Sequence, residues 1–380
     1  MKAPEAWRYP LPHTPLKNRN DPGKINTGVT ADNDRNYCYE KGAAMIKEAI
    51  NLLVGGIHLS ETEMAECMKE IMEGRTTDAQ IGSFLTALRL KGETVDEITG
   101  AARIMRDKAA KIKAPEGVLD TCGTGGDMSH TFNISTTVAL VVAAAGVPVA
   151  KHGNKAVSSK SGSADVLEAL GIKIDLAPDK VEKCLFETGF GFLFAPLFHP
   201  AMKYAIGPRR EMGIRTIFNI LGPITNPAGA RRQILGVFSG RLTETLATVL
   251  GNLGAEDAMV VHGEDGLDEI TITNGTRVSR FSQGKVENLI FSPEDFGISR
   301  GKREDLVGGD NRENAEFTRR VLQGEKGTKR DIVLINTAAA LMVAGRSNDT
   351  KTAVSIAEET IDSGSAAKKL EEIKKISNSL

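Results

Sequence analysis

From Gly42 to about Ala114 apolar residues return at helical spacing, with Ile46, Ile50, Leu53 and Val54 forming one stripe. Ser60 opens an S-E-T-E run ahead of Met64 and Met68, and Thr94 opens T-V-D-E ahead of Ile98, Ala101 and Ala102. In each run the hydroxyl and the later glutamate can satisfy free N–H groups of a first turn, so both mark helix starts. The segment holds no cluster of histidine, cysteine or paired carboxylate. It predicts a small helical bundle that supplies core and interface and leaves the chemistry elsewhere.

After Pro115 the texture changes to short Val-, Ile- and Leu-rich runs alternating with helical patterns: Val118 to Asp120, Val147 to Val149, Gln233 to Phe238 and Ala258 to His262. Runs of this kind are buried strands, and buried strands joined by helices make an α/β sheet. No repeat interrupts this order, and the stretch from Ala353 reads as a charged amphipathic helix with a solvated face. The expected fold class is α/β, with a small all-helical domain over residues 37–114 ahead of a larger domain over residues 115–380.

A chain of 380 residues with 41% hydrophobic content exceeds the usual size of one domain, which agrees with that division. Its 48 basic and 49 acidic residues nearly cancel, so no global field favours nucleic acid or an anionic membrane, and an anionic ligand must be held by local groups. The longest apolar run, Val138 to Ala145, is far short of the ~20 residues that cross a bilayer. Cys38, Cys67, Cys122 and Cys184 include no C-x-x-C pair, which argues against a zinc site or a disulfide framework and for a reducing cytoplasm. The first 36 residues carry Pro4, Pro10, Pro12, Pro15 and Pro22 and no apolar signal core, and read as an extended or disordered tail.

The informative loop is D-T-C-G-T-G-G-D, Asp120 to Asp127, directly after a strand. Gly123, Gly125 and Gly126 let backbone approach an anion, and their N–H groups can form a concave nest for phosphate oxygens. A tight turn without a ligand would use the same glycines. Thr131, Asn133, Ser135 and Thr136 then precede the apolar helix at Val138, placing donors beside the positive end of a helix dipole. Ordinary N-capping by Ser135 or Thr136 is the plainer reading, and both roles can hold together.

K-H-G-N at Lys151 to Asn154 follows the next strand and continues through Ser158, Ser159, Lys160, Ser161, Gly162, Ser163 and Asp165. Its lysines can neutralise a polyphosphate, and its serines with Gly162 can begin a second anion-binding helix. Asp268 and Glu269 in G-L-D-E-I-T lead into an alternating Ile270, Ile272 strand. Adjacent carboxylates are hard oxygen ligands suited to Mg²⁺, although an isolated D-E pair is usually just surface.

In order and spacing D-T-C-G-T-G-G-D, N-I-S-T, K-H-G-N, S-S-K-S-G-S-A-D, R-R-E-M-G-I-R-T, N-I-L-G-P-I-T-N-P and G-L-D-E resemble the anthranilate phosphoribosyltransferase family, from about Gly42 to the C-terminal helix. The resemblance implies a helical domain completed by helices near residues 198–212 and hinged to an α/β domain with a central mixed sheet. The implied reaction moves a phosphoribosyl group from phosphoribosyl diphosphate (PRPP) to the amine of anthranilate, giving phosphoribosylanthranilate and pyrophosphate in tryptophan biosynthesis. The cofactor would be Mg²⁺, as one or two ions, and the assembly a homodimer joined through the helical domain, with no nucleic acid or membrane partner.

Carried onto this sequence, the donor-binding set is Gly123, Gly126, Asp127, Thr131, Asn133, Ile134, Ser135, Thr136, Lys151, His152, Gly153, Asn154, Lys155, Ala156, Val157, Ser158, Ser159 and Ser163. Gly123, His152, Asn154, Arg209 and Pro223 match the acceptor pocket, and Ser135, Asp268 and Glu269 the metal site. A planar guanidinium at Arg209 suits the carboxylate of anthranilate. No covalent nucleophile or general base is assigned; His199 reads as structural, and His130 and His262 have no role.

Three departures stand out. Lys155-Ala156 occupies the place where the family usually has Arg-Ser, Met128-Ser129-His130 is bulkier than the usual small residues, and the first 36 residues extend beyond the usual start. The enzyme alternative is a pyrimidine nucleoside phosphorylase with shared loops. A non-catalytic relative that binds nucleic acid is a further one, disfavoured by the net charge of -1.

Overall fold

In the computed structural model, which describes residues 45–127, 129–156 and 161–380, the chain opens with helices α1 (Met45–Val54), α2 (Glu61–Met72), α3 (Asp78–Lys91) and α4 (Val95–Lys108). The expected tail over residues 1–36, Cys38, Met128, Val157, Ser158 and Ser159 lie outside the described residues. Ser60 and Thr94 cap α2 and α4 with reciprocal boxes, and Thr77 with Gln80 does the same for α3. On α1 the buried face runs through Ile46, Ala49 and Leu53, whereas Val54 is 75% exposed. The stripe is therefore rotated from the expected one, because Ala49 offers less apolar surface to a reader of sequence than the valine that ends the helix.

The sheet comprises β1 (Leu119–Gly123), β2 (Val149–Gly153), β3 (Phe190–Phe194), β4 (Arg232–Gly236), β5 (Asp257–Gly263), β6 (Thr276–Ser282) and β7 (Lys285–Phe291), in the order β3-β2-β1-β4-β5-β6-β7. Pairings from β3 across to β5 are parallel, and β6 and β7 add antiparallel edges, so the sheet is mixed. The chain fills one side of β1 with β2 and β3, then returns to its other side for β4. At such a reversal the strand ends leave a crevice where ligands bind.

The connections are α5 (Ile134–Ala144), α6 (Ser163–Ala169), α7 (Pro178–Thr188), α8 (Ala195–Phe198), α9 (Lys203–Met212), α10 (Phe218–Leu221) and α11 (Leu242–Asn252). After β7 come α12 (Asn311–Leu322), α13 (Thr328–Val343), α14 (Thr350–Asp362) and α15 (Ser365–Ser379). Side chains alternate between sheet faces. Ile234, Met259 and Val261 join a core with α5 and α13, while Leu235, Ala258 and Val260 join a second core with α2, α3 and α4.

Two expectations change. The stretch from Ala353 is two helices parted at Gly364, whose φ of 77° is left-handed, and it is not mainly a solvated face. Ala353, Ala357, Ile361, Ala366, Leu370 and Ile373 all enter the core. Ile270 and Ile272 are buried but lie between β5 and β6 and not in a strand. The backbone of Ile270 is satisfied by one side chain, donating to Asn336 Oδ1 at 2.9 Å and accepting from Asn336 Nδ2 at 2.8 Å. That amide takes the place of a ladder partner.

Candidate functional site

β1 delivers the glycine-rich loop to the crevice. Gly125 and Gly126 have φ of 64° and 74°, in the left-handed region that favours glycine. The Gly125 N–H donates to Asp268 Oδ2 at 2.9 Å, and the Asp268 N–H reaches Asp127 Oδ2 at 3.4 Å. A Cβ on Gly123 would sit 2.7 Å from Asp268 Oδ2, and one on Gly236 only 1.6 Å from the Asp268 carbonyl oxygen. The acidic pair is thus folded against the tips of β1 and β4.

The start of α5 completes one wall. Its N-cap is Asn133, so the expected capping by Ser135 or Thr136 does not occur: both sit inside the first turn. The Ser135 N–H, a free donor of that turn, meets Glu269 Oε1 at 3.1 Å. Asn133 is held by Asn314 Nδ2 at 3.0 Å and reaches the Ser161 carbonyl at 3.2 Å, tying α5 to the segment before α6. Ile134 and Thr136 are buried, and Thr131 bridges to Val307.

Lys151 projects from β2 into this space and is almost wholly buried. Its Nζ donates to the Thr121 carbonyl and lies 3.5 Å from Ser135 Oγ. Burial pulls its pKa down, opposed chiefly by Asp120. On the acidic side, burial, joined by Asp127, pushes Asp268 up to about 7, and burial, joined by Asp268, pushes Glu269 up to about 8. These half-buried carboxylates are short of positive charge. Among the described residues no group of three or more His, Cys, Asp or Glu could hold a metal ion. Asp268 and Glu269 therefore fit a cation that takes one or two carboxylates and completes its shell with water and substrate oxygens, as Mg²⁺ does.

A second cluster forms around His152. Its Nδ1 lies 3.0 Å from the Gly222 carbonyl, which can only accept, so Nδ1 carries the proton and Nε2 a lone pair. His199 stands beside it with ring centroids 5.0 Å apart, and both Nε2 atoms are buried without a partner among the described residues. Burial takes His152 down to about 3 and His199 down to about 4, so both rings are neutral near pH 7. Arg209 lies with its guanidinium 5.0 Å over the Phe218 ring, one turn ahead of Gly222 and Pro223.

Other expected residues sit further out. Asn154 is exposed, and its carbonyl accepts from Ser163 Oγ at 3.3 Å and Ala164 N at 3.2 Å. Lys155 is exposed and pairs with Glu168 at 3.2 Å. The Ala156 and Gly162 N–H groups both donate to Asp165 Oδ2 at 2.8 Å, so that carboxylate already serves the α6 start expected to bind an anion. Gly153 fits because a Cβ there would meet Ser163 Oγ at 2.2 Å.

Several site residues escaped the sequence reading. Arg215 donates to the Gly126 carbonyl and stacks 4.4 Å from the Phe238 ring; its signal was its place at the end of R-R-E-M-G-I-R-T. Arg303 binds Ser129 Oγ at 3.3 Å and the Asp265 carbonyl at 3.1 Å, and no local motif announces it. Asp120 and Asn226 lie inside quoted motifs without an assigned role. His199, expected to be structural, is buried beside the His152 ring.

Comparison with known proteins gives a consistent result. Residues 115–367 match the glycosyl transferase family a/b domain, and residues 47–109 match that family's helical bundle domain. The anthranilate phosphoribosyltransferase of Acetivibrio thermocellus is 57% identical over 336 residues, covering 88% of this chain and 97% of that relative. The crystal structure of the Thermus thermophilus enzyme of the same name superposes with a TM-score of 0.83 at 42% identity, covering 87% of this chain and 99% of the other. The Saccharomyces cerevisiae enzyme in complex with PRPP and Mg superposes with a TM-score of 0.81 at 29% identity, covering 89% and 99%.

Proposed function

We infer the reaction from the family: this chain belongs to the anthranilate phosphoribosyltransferases, and it transfers the phosphoribosyl group of PRPP to the amine of anthranilate, releasing pyrophosphate. The observation that carries the reading is the convergence of a buried lysine, a glycine-rich loop and a half-buried carboxylate pair at the switch-point crevice.

The donor occupies the loop from Gly123 to Asp127, the α5 start from Thr131 to Thr136, the end of β2 from Lys151 to Gly153, and residues 154–159 with Ser163. Asp268 and Glu269, with Ser135, hold Mg²⁺ as one or two ions, which supply charge neutralisation for the diphosphate when bound. The acceptor lies against Gly123, His152, Asn154, Arg209, Pro223 and also His199. Arg209 takes the carboxylate of anthranilate. The His152 Nε2 lone pair accepts an N–H of the amine and orients it. Neutral and weakly basic, that ring acts as an orienting acceptor and not as a strong base.

The amine nitrogen attacks the anomeric carbon as the bond to the diphosphate oxygen breaks, through an oxocarbenium-like state with inversion, and the proton that the new ammonium gives up passes to water. Lys151 and the loop N–H groups stabilise charge on the departing oxygens, so rate comes from positioning and electrostatics.

Helices α1 to α4 with α9 form the helical domain. Its exposed apolar residues, Val54, Ile57, Leu90, Tyr204 and Ile206, support a homodimer joined there. The described Cys67, Cys122 and Cys184 are free thiols, which suits a reducing cytoplasm. No described helix is long and apolar enough to cross a membrane. The test is Arg209→Ala: apparent KM for anthranilate rises by about 100-fold while that for PRPP stays near wild type. Equal binding of anthranilate by the variant would remove Arg209 from the pocket.

A further inference from the structure

The ladder between β1 and β2 is registered at Leu119 and Val149 alone, whereas β1 with β4 and β2 with β3 pair along their lengths. Beyond that point side chains bridge the split. Asp120, fully buried, accepts the His152 backbone N–H at Oδ1 (3.2 Å) and Asn226 Nδ2 at Oδ2 (2.8 Å). Asn226, also buried, donates to the Ala150 carbonyl at 2.8 Å and accepts the Ala228 N–H at 2.8 Å. Both donors and the acceptor of its amide are engaged.

The segment from Gly222 to Ala228, which carries Pro223, is therefore moored to β2 at two points. One is the His152 ring on the Gly222 carbonyl; the other is Asn226 on the Ala150 carbonyl. Asp120 joins the two moorings, since it holds the His152 backbone and the Asn226 amide on opposite oxygens.

We propose that Asp120 and Asn226 act as one positioning unit for the acceptor site, setting the distance from the Pro223 wall to His152 and the direction of the His152 Nε2 lone pair. Neither residue touches substrate; both act through His152 and the Gly222 to Pro223 segment. A carboxylate is required at Asp120 because both incoming groups are donors. An asparagine there would turn an N–H toward one of them in either flip.

The proposal rests on the acceptor site argued above, and the experiment separates the two. Histidine ¹⁵N NMR of the wild-type protein reads the ring tautomer without turnover: Nδ1 of His152 should be protonated and Nε2 bare. A protonated Nε2 would overturn the proposal whatever the protein catalyses. In steady-state assays, Asn226→Ala should raise KM for anthranilate about ten-fold or more and leave KM for PRPP within about two-fold. The double variant with Asp120→Asn should be no worse for anthranilate than the worse single, as expected of one unit. Thr188→Ala is the control, since it removes a buried hydroxyl bonded to Cys184 and Phe190 at the far end of β3 and should leave both KM values alone. Should Asn226→Ala not fold, Asn226→Ser replaces it. Equal changes in both KM values, additive single effects, or an unchanged KM for anthranilate would each overturn the positioning role.

Discussion

Gly236→Ala makes a small change at the tip of β4 that should reach the acidic pair directly. The added Cβ would lie 1.6 Å from the Asp268 carbonyl oxygen and 2.6 Å from its carbon, where real Cβ atoms stay beyond 3.0 Å. The obstacle is backbone, so the loop must withdraw by about 1.4 Å, the difference between 3.0 and 1.6 Å. Overpacking of this kind costs roughly 1–3 kcal/mol of stability. The same movement carries both carboxylates away from Ser135 and Gly125, and a misplacement of about 1 Å at a reacting centre costs about 100-fold in rate. That equals about 2.7 kcal/mol of barrier. The assay is loss of anthranilate fluorescence with PRPP across a Mg²⁺ titration, beside circular dichroism to confirm the fold. Gly125→Ala is the comparison: it meets nothing within 4 Å and bears only the strain of φ 64°, roughly 1–3 kcal/mol. If Gly236→Ala turns over at near the wild-type rate with unchanged Mg²⁺ dependence, the contact between β4 and the acidic loop does not position the metal ligands.

Replacing Asp268 by Asn and Glu269 by Gln should abolish Mg²⁺-dependent turnover yet raise the melting temperature of the metal-free protein at pH 8. The native carboxyls keep their protons to about 7 and about 8, above their ordinary 3.8 and 4.5. Their contribution is therefore full at low pH and lost as pH rises through those values, and calorimetry should find that slope flattened in the variant. His199 has the opposite sign: with a native value near 4 against 6.5, it lowers stability as pH falls across that interval. His199→Phe should make that decline shallower, and a decline of unchanged slope would count against a buried neutral ring. Lys155→Ala should cost less than about 1 kcal/mol of stability, because an exposed pair such as Lys155 with Glu168 is worth little, while KM for PRPP rises as a cation beside the donor is lost. An unchanged KM for PRPP would remove Lys155 from the donor-binding set.

What could be read from sequence were features whose cause is local. Capping boxes at Ser60 and Thr94 announce helices because the bonds lie within one turn. Strands β1, β2, β4 and β5 announce themselves by apolar runs and the loop after β1 by its clustered glycines, whereas β3, β6 and β7 fall outside the quoted runs. What escaped depends on partners distant in the chain. The Ile270 to Ile272 stretch alternates like a strand, but its backbone is claimed by Asn336 on α13. Arg303 reaches Ser129 across 174 positions. The charged surface from Ala353 concealed two helices whose alanines and isoleucines enter the core, since small residues leave a faint apolar stripe. The pairing of the His199 and His152 rings is likewise set by packing and not by local sequence.

The transfer itself is followed by measuring anthranilate and pyrophosphate together after wild-type protein is mixed with PRPP and Mg²⁺. Anthranilate fluorescence should disappear as pyrophosphate appears in equal amount, with neither change when Mg²⁺ is removed by chelation. Folded, Mg²⁺-loaded protein that leaves anthranilate untouched, or that cleaves pyrimidine nucleosides with phosphate instead, would contradict this reaction.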